Sequence, residues 1–579
     1  MWFNLAGVVF RNGKNFYGAE IYDRVQSENS IPAIPILDKN RYMKPRIYIS
    51  TWALAGLMAS LSQTGLAATA QGTVYHDNNR NGLLDRREDG ILGVAVSNGR
   101  EVTRTDNQGR YRIAAMEGDT IFITKPRNYA LPVNEYMLPR YYYHYTPAGS
   151  PADLDLRYPG LRKSGQLPQT IDFPLYQQTE AENFAVIWTS DPQPRTGEEL
   201  GFVRDDVITE LLGVDAAFGI TTGDILFDDL SLFPRLAAIY ARIGIPWFNV
   251  AGNHDVNYQA LADPQALETY RRNFGPAYYS FNWGQTHFVL LDSVHYAGKD
   301  PNQLAGAGTY AGRIDQDQLQ WLAADLALVP KEVLVIVAMH IPFKVTGMDV
   351  PQFQIANRGE VLRLLSGFDH VFAVAGHLHG TQHVYFDASE GFTGAKPLHQ
   401  HVLATIAGNW WLGDRDDRGI PFTTQTDGTP NGYHIMSVQG NTYSMRYQAA
   451  GKPATHQMRI TLESYPLREV ASQLVRSQLS SVQLLVNLFD GGPNSVLTYR
   501  IDDGASRTMV NELRQDPFAG RPIQGQGPAR ETKSSHIWSA LLDPELAAGV
   551  HTIKVEAVDE YGQKHTGHKI IELLDDGLQ

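Results

Sequence analysis

Five apolar segments in the middle of the chain are each followed at once by a residue that can bind a metal ion. The segments have the length of buried strands, and helical patterns separate them. These helical patterns cover 198–213, 231–243, 264–274, 314–327 and 357–366. The residues after the strands are Asp191 with Gln193, Asp224, Asn253 with His254, His340, and His377 with His379. The segment 183–450 is therefore predicted to be an α/β domain with a metal site at its strand ends.

Each of these residues, taken singly, has an ordinary structural explanation. A His after an apolar strand is more often a hydrogen-bonded structural residue than a ligand, and Gly-Asp and Gly-Asn are frequent turn dipeptides. Coincidence is a poor explanation for the whole set, because five strand ends of one domain would each need such a residue by accident.

The order of these residues resembles the calcineurin-like metallophosphoesterase superfamily. Its motif is Asp-x-His, Gly-Asp, Gly-Asn-His-Asp/Glu, His and Gly-His-x-His, and four of these five blocks are intact here. The resemblance implies a two-layer β-sandwich core flanked by helices, with two divalent cations bridged by Asp224. By position, it assigns the first cation to Asp191, Gln193, Asp224 and His379. It assigns the second cation to Asp224, Asn253, His340 and His377.

The resemblance also implies a chemistry. Two cations ~3.5–4 Å apart can clamp a phosphoryl oxygen and activate a bridging hydroxide for in-line attack. In the superfamily, the residue matching His254 reaches the substrate and helps to protonate the leaving oxygen or to stabilise charge on the phosphoryl group. Asp255 follows directly, and we expect its carboxylate to orient the His254 imidazole and to raise its basicity.

Gln193 stands where the superfamily usually has His. An amide oxygen is a harder ligand than imidazole, so it shifts preference from zinc or iron towards manganese or magnesium. We interpret Gln193 as a retuned ligand, because no other ligand is missing. The Asp-x-Gln variant is similar to manganese-dependent ADP-ribose/CDP-alcohol diphosphatases and to certain protein phosphatases. We therefore expect manganese in the pair, with iron, zinc or magnesium as alternatives.

The segment 71–178 reads as short strands and turns, which predicts an all-β module. Its residues 77–88, DNNRNGLLDRRE, match the twelve-residue calcium loop, with Gly82 at the sharp turn. The flanks are strand-like, which resembles calcium-stapled modules of bacterial surface proteins, and the alternative is a plain polar turn. The predicted calcium ligands are Asp77, Asn79, Asn81, Leu83, Asp85 and Glu88.

The segment 455–579 returns to strands and is predicted to be a small antiparallel β-sandwich without catalytic residues. The stretch LPRYYYHYTPAGSP and residues 408–434 are similar to parts of a bacterial exported family that flanks the phosphoesterase core with an N-terminal β-module and a C-terminal domain, and the resemblance covers the whole mature chain. In residues 408–434, aromatic and acidic side chains suit a substrate pocket, and the alternative is a packed loop that holds the C-terminal domain. The pocket candidates are Trp410, Trp411, Asp414, Asp427, Asn431 and Tyr433.

The N-terminus predicts export. Residues 43–70 have a basic start, an apolar run and a small-residue cleavage site, which is typical of a signal peptide cut after Ala70. Residues 1–42 are then an upstream extension outside the native protein. The alternative is an uncleaved membrane anchor. We expect a periplasmic or extracellular protein without a stable membrane anchor.

The composition excludes several classes of site and of function. The chain has no Cys, which excludes disulfides, thiolate metal sites and Cys nucleophiles, and its net charge of −13 argues against coating nucleic acid. The leading hypothesis is an exported phosphodiesterase or diphosphatase acting on small phosphorylated molecules or envelope phosphoconjugates. The alternatives are phosphomonoester or phosphoprotein hydrolysis at the same metals, and a surface-binding protein with an inactive core. The sequence does not indicate the oligomeric state.

Overall fold

The computed structural model describes residues 68–299, 308–464, 469–471, 474–519 and 532–576. Residues 1–42 and most of the predicted signal peptide lie outside the described residues. All the described residues belong to one compact unit. Within them, no helix combines the length and the apolar character needed to span a bilayer.

The N-terminal module consists of strands, as predicted. They are β1 Ala68–His76, β2 Ala95–Ser97, β3 Val102–Arg104, β4 Arg110–Ala115, β5 Thr120–Ile123, β6 Tyr129–Ala130, β7 Tyr142–His144 and β8 Phe173–Gln177. They form two four-stranded sheets, ordered β4-β1-β8-β6 and β3-β2-β5-β7. Ala70 is fully buried in β1 and pairs with Ile113. Cleavage after Ala70 would therefore remove three paired residues of β1, and the cleavage site stays a prediction.

The central domain contains two larger sheets and the helices. Its strands are β9 Asn183–Thr189, β10 Phe218–Thr221, β11 Trp247–Asn249, β12 Tyr279–Trp283, β13 Thr286–Leu290, β14 Val294–Lys299, β15 Gly308–Gly312, β16 Leu334–Ala338, β17 His370–Ala375, β18 Gln382–Phe386, β19 Leu398–Val402, β20 Gly432–Gln439 and β21 Thr442–Ala449. Its helices are α1 Gly197–Phe202, α2 Phe233–Tyr240, α3 Asp263–Ala266, α4 Glu268–Phe274, α5 Gln316–Leu326 and α6 Arg358–Leu365. Each helical pattern of the sequence therefore contains at least one helix.

The two central sheets pack face to face. One is ordered β11-β10-β9-β20-β21 and the other β12-β13-β16-β17-β19-β18. The rings of Phe218 in β10 and Phe288 in β13 lie 5.2 Å apart between them. In β9, Val186 and Trp188 face this inner core, while Ile187 packs with the helices outside. Burial on both faces explains why these strands read as continuous apolar runs. The predicted two-layer sandwich flanked by helices is confirmed.

The C-terminal domain is also a β-sandwich, as predicted. Its strands are β22 Met458–Ser464, β23 Glu469–Val470, β24 Leu474–Val475, β25 Val482–Leu488, β26 Val496–Ile501, β27 Arg507–Thr508, β28 Val510–Arg514, β29 Ser534–Leu541, β30 Gly549–Val558 and β31 Lys564–Leu574. They form two five-stranded sheets, β23-β22-β25-β29-β28 and β24-β31-β30-β26-β27. Leu484, Trp538 and Val555 belong to a separate apolar core inside this domain.

Candidate metal centre

The predicted metal ligands come together where the strands of both central sheets end. Strands β9, β10 and β11 run parallel in one sheet, and β16 and β17 run parallel in the other. The residues just beyond their carboxyl ends meet between the two layers. All of them are at most 7% exposed: Asp191, Gln193, Asp224, Asn253, His340, His377 and His379.

The residues expected to hold the second cation surround one point. Nε2 of His340 lies 3.2 Å from Asp224 Oδ1, 3.1 Å from Asn253 Oδ1 and 3.1 Å from His377 Nδ1. Donor atoms that share one small divalent cation lie roughly 3 Å apart, because each sits about 2 Å from the ion. Asp224, His340 and His377 also form a buried group of the kind that holds a metal.

The hydrogen bonds of the two imidazoles favour the same interpretation. Nδ1 of His340 faces the carbonyl oxygen of Thr222 at 2.9 Å, and Nε2 of His377 faces that of Gln352 at 2.9 Å. A carbonyl oxygen only accepts, so these two nitrogens carry the ring protons. In the neutral rings, the two nitrogens that face each other then present lone pairs. A cation between them satisfies both.

The residues expected to hold the first cation, here called the first position, include buried oxygen atoms that accept no hydrogen bond. Asp191 Oδ1 and Gln193 Oε1 are buried and make no hydrogen bond. His379 Nε2 lies 3.8 Å from Asp191 Oδ1, and Gln193 Nε2 donates to Asp224 Oδ2 at 2.6 Å. Buried acceptors without partners are costly, and a cation removes that cost. The residues present therefore fit a pair of divalent cations that share Asp224.

The backbone at the ligands is strained. Asp191, Gln193, Asp224, His377 and His379 all have positive φ, between 38° and 79°. Residues other than Gly rarely adopt this conformation, which costs about 1–3 kcal/mol each and persists where the surroundings enforce it. Such strain concentrates at functional sites, and here it turns each ligand inward directly after its strand.

The pKa values of the ionisable groups at the centre favour ionised carboxylates beside a protonated imidazole. Burial raises the pKa of Asp191 to about 6. Burial also opposes ionisation of Asp224, but His340 and His254 lower its pKa below the usual range. For His254, burial is outweighed by Asp224 and then Asp228, which raise its pKa to about 9.

Asp228, rather than Asp255, orients His254. Nδ1 of His254 donates to Asp228 Oδ1 at 2.7 Å, and the ring stacks on Phe227 with centroids 4.3 Å apart. Asp255 is fully buried, and its carboxylate accepts backbone N–H groups of Gly252, Ile225 and Leu226 at 2.9–3.1 Å. The prediction that Asp255 orients the imidazole is wrong, because both of its oxygens hold the loops that carry Asp224 and Asn253.

The predicted substrate pocket is largely a packed loop. Trp411 donates to the Pro192 carbonyl at 2.9 Å and packs in the core, Asn431 donates to Asp206, and Tyr433 is buried. Asp427 is buried against the C-terminal domain, to which His536 belongs, and Asp414 is exposed on the loop. For Trp411, Asp427, Asn431 and Tyr433 the pocket prediction is wrong, since their contacts are structural.

Trp410 does lie at the metal centre. Its ring centroid is 4.4 Å from that of His379. On the other side, the rings of Phe353 and Tyr310 lie 5.1 and 6.1 Å from His377. Four further residues of the centre were not predicted from the sequence: Phe227, Asp228, Tyr310 and Phe353. Only Asp228 had a signal, as an acid in the segment GDILFDD that follows the Gly-Asp block.

The calcium-type loop has the expected turn. Gly82 has φ of 74°, and its N–H donates to Asp77 Oδ2 at 2.8 Å. Glu88 accepts from the N–H groups of Asn78 and Asp85, at 2.9 and 3.0 Å. The oxygens of the predicted ligands thus point into the loop, where backbone donors meet them. Calcium binding stays a prediction.

A second buried group, His383, His401 and Asp490, lies between β18, β19 and the C-terminal domain. Asp490 Oδ1 accepts from Nε2 of His401 at 2.8 Å and from Nε2 of His434 at 3.2 Å. Its backbone carbonyl faces His383 Nε2 at 3.2 Å. The group satisfies its own hydrogen bonds, so we interpret it as a contact between domains.

No curated protein sequence matches the chain. Among solved structures, it is similar to a dimetal phosphatase from Danio rerio, with 17% identity, 46% of this chain and 96% of that chain covered, and a TM-score of 0.32. It is also similar to a purple acid phosphatase from seeds of yellow lupin (Lupinus luteus), with 11% identity, 62% and 67% covered, and a TM-score of 0.32.

Three family models match the chain in sequence order. The N terminal of calcineurin-like phosphoesterase matches residues 78–159, calcineurin-like phosphoesterase matches 199–381, and the C terminal of calcineurin-like phosphoesterase matches 400–565. The core match begins after Asp191 and Gln193, the block that departs from the usual motif. The chain therefore belongs to the calcineurin-like phosphoesterase family, with all three of its regions represented, and is a metal-dependent phosphoester hydrolase.

Proposed function

We propose that this protein hydrolyses phosphodiester or diphosphate bonds in small phosphorylated molecules or envelope phosphoconjugates. The observation that carries the proposal is the position of His254 beside the shared ligand Asp224. Its backbone N–H donates to Asp224 Oδ1 at 2.9 Å, and its Nε2 lies 4.0 Å from Asp224 Oδ2. Its side chain is 20% exposed, so a substrate can reach it.

The cations, His254 and Asp228 would have separate roles in the reaction. Bound divalent cations would supply positive charge to the phosphoryl group and activate water. His254 would hold a proton on Nε2 and give it to the leaving oxygen, while Asp228 keeps the ring oriented through Nδ1. The Asp228 carboxylate also favours the protonated form of the ring.

The aromatic side chains around the centre support a substrate with two organic groups. Trp410 flanks His379, and Phe353 and Tyr310 flank His377. A diester carries two organic groups that can pack on such surfaces, whereas a monoester carries one. We propose manganese for the pair, because Gln193 offers a harder oxygen in place of an imidazole.

The test compares two chromogenic substrates with added Mn²⁺. We expect kcat/KM for bis-p-nitrophenyl phosphate to exceed that for p-nitrophenyl phosphate by at least tenfold, with Asp224→Asn as the inactive control. A faster monoester would make the protein a phosphomonoesterase. Absence of turnover with Mn²⁺, Mg²⁺, Zn²⁺ and Fe²⁺ would favour a binding protein with an inactive core.

We also propose that the protein is exported to the periplasm or beyond. The support is the signal-peptide pattern of residues 43–70. Mass spectrometry of the native protein should find Gln71 at its N-terminus. Retention of residues 1–42 would contradict the proposal.

A further inference from the structure

The loop after β19 holds the metal ligand His379 from two sides. The backbone N–H and the hydroxyl of Thr426 both donate to the carbonyl oxygen of His379, each at 2.8 Å. The carbonyl of Gly408, in the same loop, accepts from Nδ1 of the His379 ring. This loop therefore determines both the peptide orientation and the ring orientation of His379.

Asp427 connects this loop to Thr381, near His379, and to the C-terminal domain. Its Oδ2 accepts the backbone N–H of Thr381 at 2.6 Å, two residues beyond His379. The same oxygen faces Nε2 of His536 at 2.9 Å. His536 lies on β29 of the C-terminal domain, and all three residues are at most 3% exposed.

His536 is held in turn inside its own domain. Its Nδ1 faces Asn487 Oδ1 at 2.9 Å. Asn487 Nδ2 donates to the Asp427 carbonyl at 3.0 Å and to Asp516 Oδ2 at 2.7 Å. Buried hydrogen bonds therefore link the C-terminal sandwich to Asp427 and Thr381. The chain then joins Asp427 to Thr426, whose N–H and hydroxyl hold the carbonyl of His379. Buried polar networks of this kind specify one geometry when all their members are satisfied.

The two cation positions differ in this respect. The carbonyl and the ring of His379 are held by the loop that contacts His536 through Asp427. His340 and His377 of the second position are oriented by the carbonyls of Thr222 and Gln352. Those two partners belong to the central domain. The hydrogen bonds of the C-terminal domain therefore reach the first position through His379.

We propose that the C-terminal domain positions His379 through the Asp427–His536 contact and so determines the affinity of the first cation position. This inference rests on the proposed pair of cations. His536 is a positioning residue here, since it acts through Asp427 and does not contact the substrate. Loss of a residue that orients a ligand typically weakens metal affinity about 10–100-fold.

The test is a Mn²⁺ titration by calorimetry of the full chain, with His536→Ala against the wild type. We expect the wild type to bind two ions, and His536→Ala to bind the first-position ion 10–100-fold more weakly, with the second unchanged. Gln193→Ala and Asn253→Ala serve as references, because they remove ligands of the first and the second position respectively. A general loss of stability would weaken both positions alike.

Tyr385→Phe is the matched control. It removes another hydrogen bond between the same two domains, from Tyr385 to Glu560 Oε2 at 2.6 Å, and should leave both affinities unchanged. Two unchanged affinities in His536→Ala would overturn the inference. If that variant does not fold, His536→Phe decides, because Phe keeps the ring volume and removes the donor to Asp427; an unchanged affinity of the first position would then overturn the inference. Fewer than two ions in the wild type would instead refute the cation pair.

Discussion

Asp228 accepts a hydrogen bond from Nδ1 of His254 at 2.7 Å, although 26 positions separate the two residues. The adjacent Asp255 binds backbone N–H groups instead. The pairing directs the opposite nitrogen, Nε2, towards Asp224. A carboxylate in this position orients an imidazole and stabilises its charged form.

His254→Ala should retain both cations and lose the proton donor. We expect kcat for an alkyl phosphodiester to fall about 10²–10⁴-fold. The loss should be smaller for p-nitrophenyl esters, because p-nitrophenolate leaves without a proton. Asn253→Ala, by contrast, should lose a cation and slow both substrates alike. Steady-state kinetics with metal analysis checks this, and equal losses in His254→Ala would reduce His254 to a supporting role.

Asp228→Asn should shift the pH profile. A general acid works only while it is protonated, so activity falls as pH rises through the pKa of His254, which Asp224 and Asp228 raise against the effect of burial. Removing the Asp228 charge lowers that pKa, so the descending limb for alkyl esters should move to lower pH. Asp229→Asn, at the neighbouring position, is the control. A profile that does not move would contradict the role of Asp228.

Gln193→His should change the metal preference with the fold intact. An imidazole in place of the amide oxygen favours zinc or iron over manganese. We expect activity with Zn²⁺ to rise relative to Mn²⁺, measured after removal and return of metal. If the wild type instead holds zinc tightly in both positions and ignores Mn²⁺, the interpretation of Gln193 fails.

Calcium should stabilise the N-terminal module. With Kd of ~1 mM, typical of extracellular loops, ~10 mM calcium would add about 1.4 kcal/mol. We expect calcium to raise Tm of the wild type and to have no effect on Asp77→Ala or Glu88→Ala, while turnover per active site is unchanged. Differential scanning calorimetry checks this. If calcium does not change the Tm of the wild type, residues 77–88 are a plain polar turn.

Acid should weaken the contact between the central and C-terminal domains. Burial, followed by His401, lowers the pKa of His383 from 6.5 to about 3, against the opposing effects of Asp490 and Glu560. Below pH 6.5, His383 therefore binds a proton in the unfolded chain but not in the folded chain. The free energy of unfolding falls as pH falls from 6.5 towards 3. From pH 7.5 to 5.0, this residue accounts for a loss of about 2 kcal/mol.

His383→Gln tests this acid dependence, because Gln has similar size and does not titrate. Urea unfolding at pH 7.5 and 5.0 should show a loss of stability about 2 kcal/mol smaller in the variant than in the wild type. Buried His residues away from His383 titrate alike in both proteins and cancel in the comparison, whereas His383 lowers the pKa of His399, so its removal changes the acid dependence in the same direction. Equal losses would contradict the prediction.

The sequence by itself indicated the fold class and the residues that gather at the strand ends. Apolar runs such as Val186–Trp188 indicate strands buried on both faces, and a polar residue at their end can only lie at the edge of the sheet. These are local signals, carried by a few consecutive residues. They predicted an α/β core, the two flanking β-regions and the positions of Asp191, Asp224 and His340 at strand ends, and the family resemblance implied the two-layer sandwich.

The tertiary structure decided which side chains meet. Asp228 reaches His254, Trp411 enters the core while Trp410 faces His379, and Asp427 is hydrogen-bonded to His536 across 109 positions. Adjacent residues such as Asp255 and His254 point in different directions because the backbone turns between them. Contacts of this kind depend on how separate loops and domains pack, which no local pattern of residues encodes.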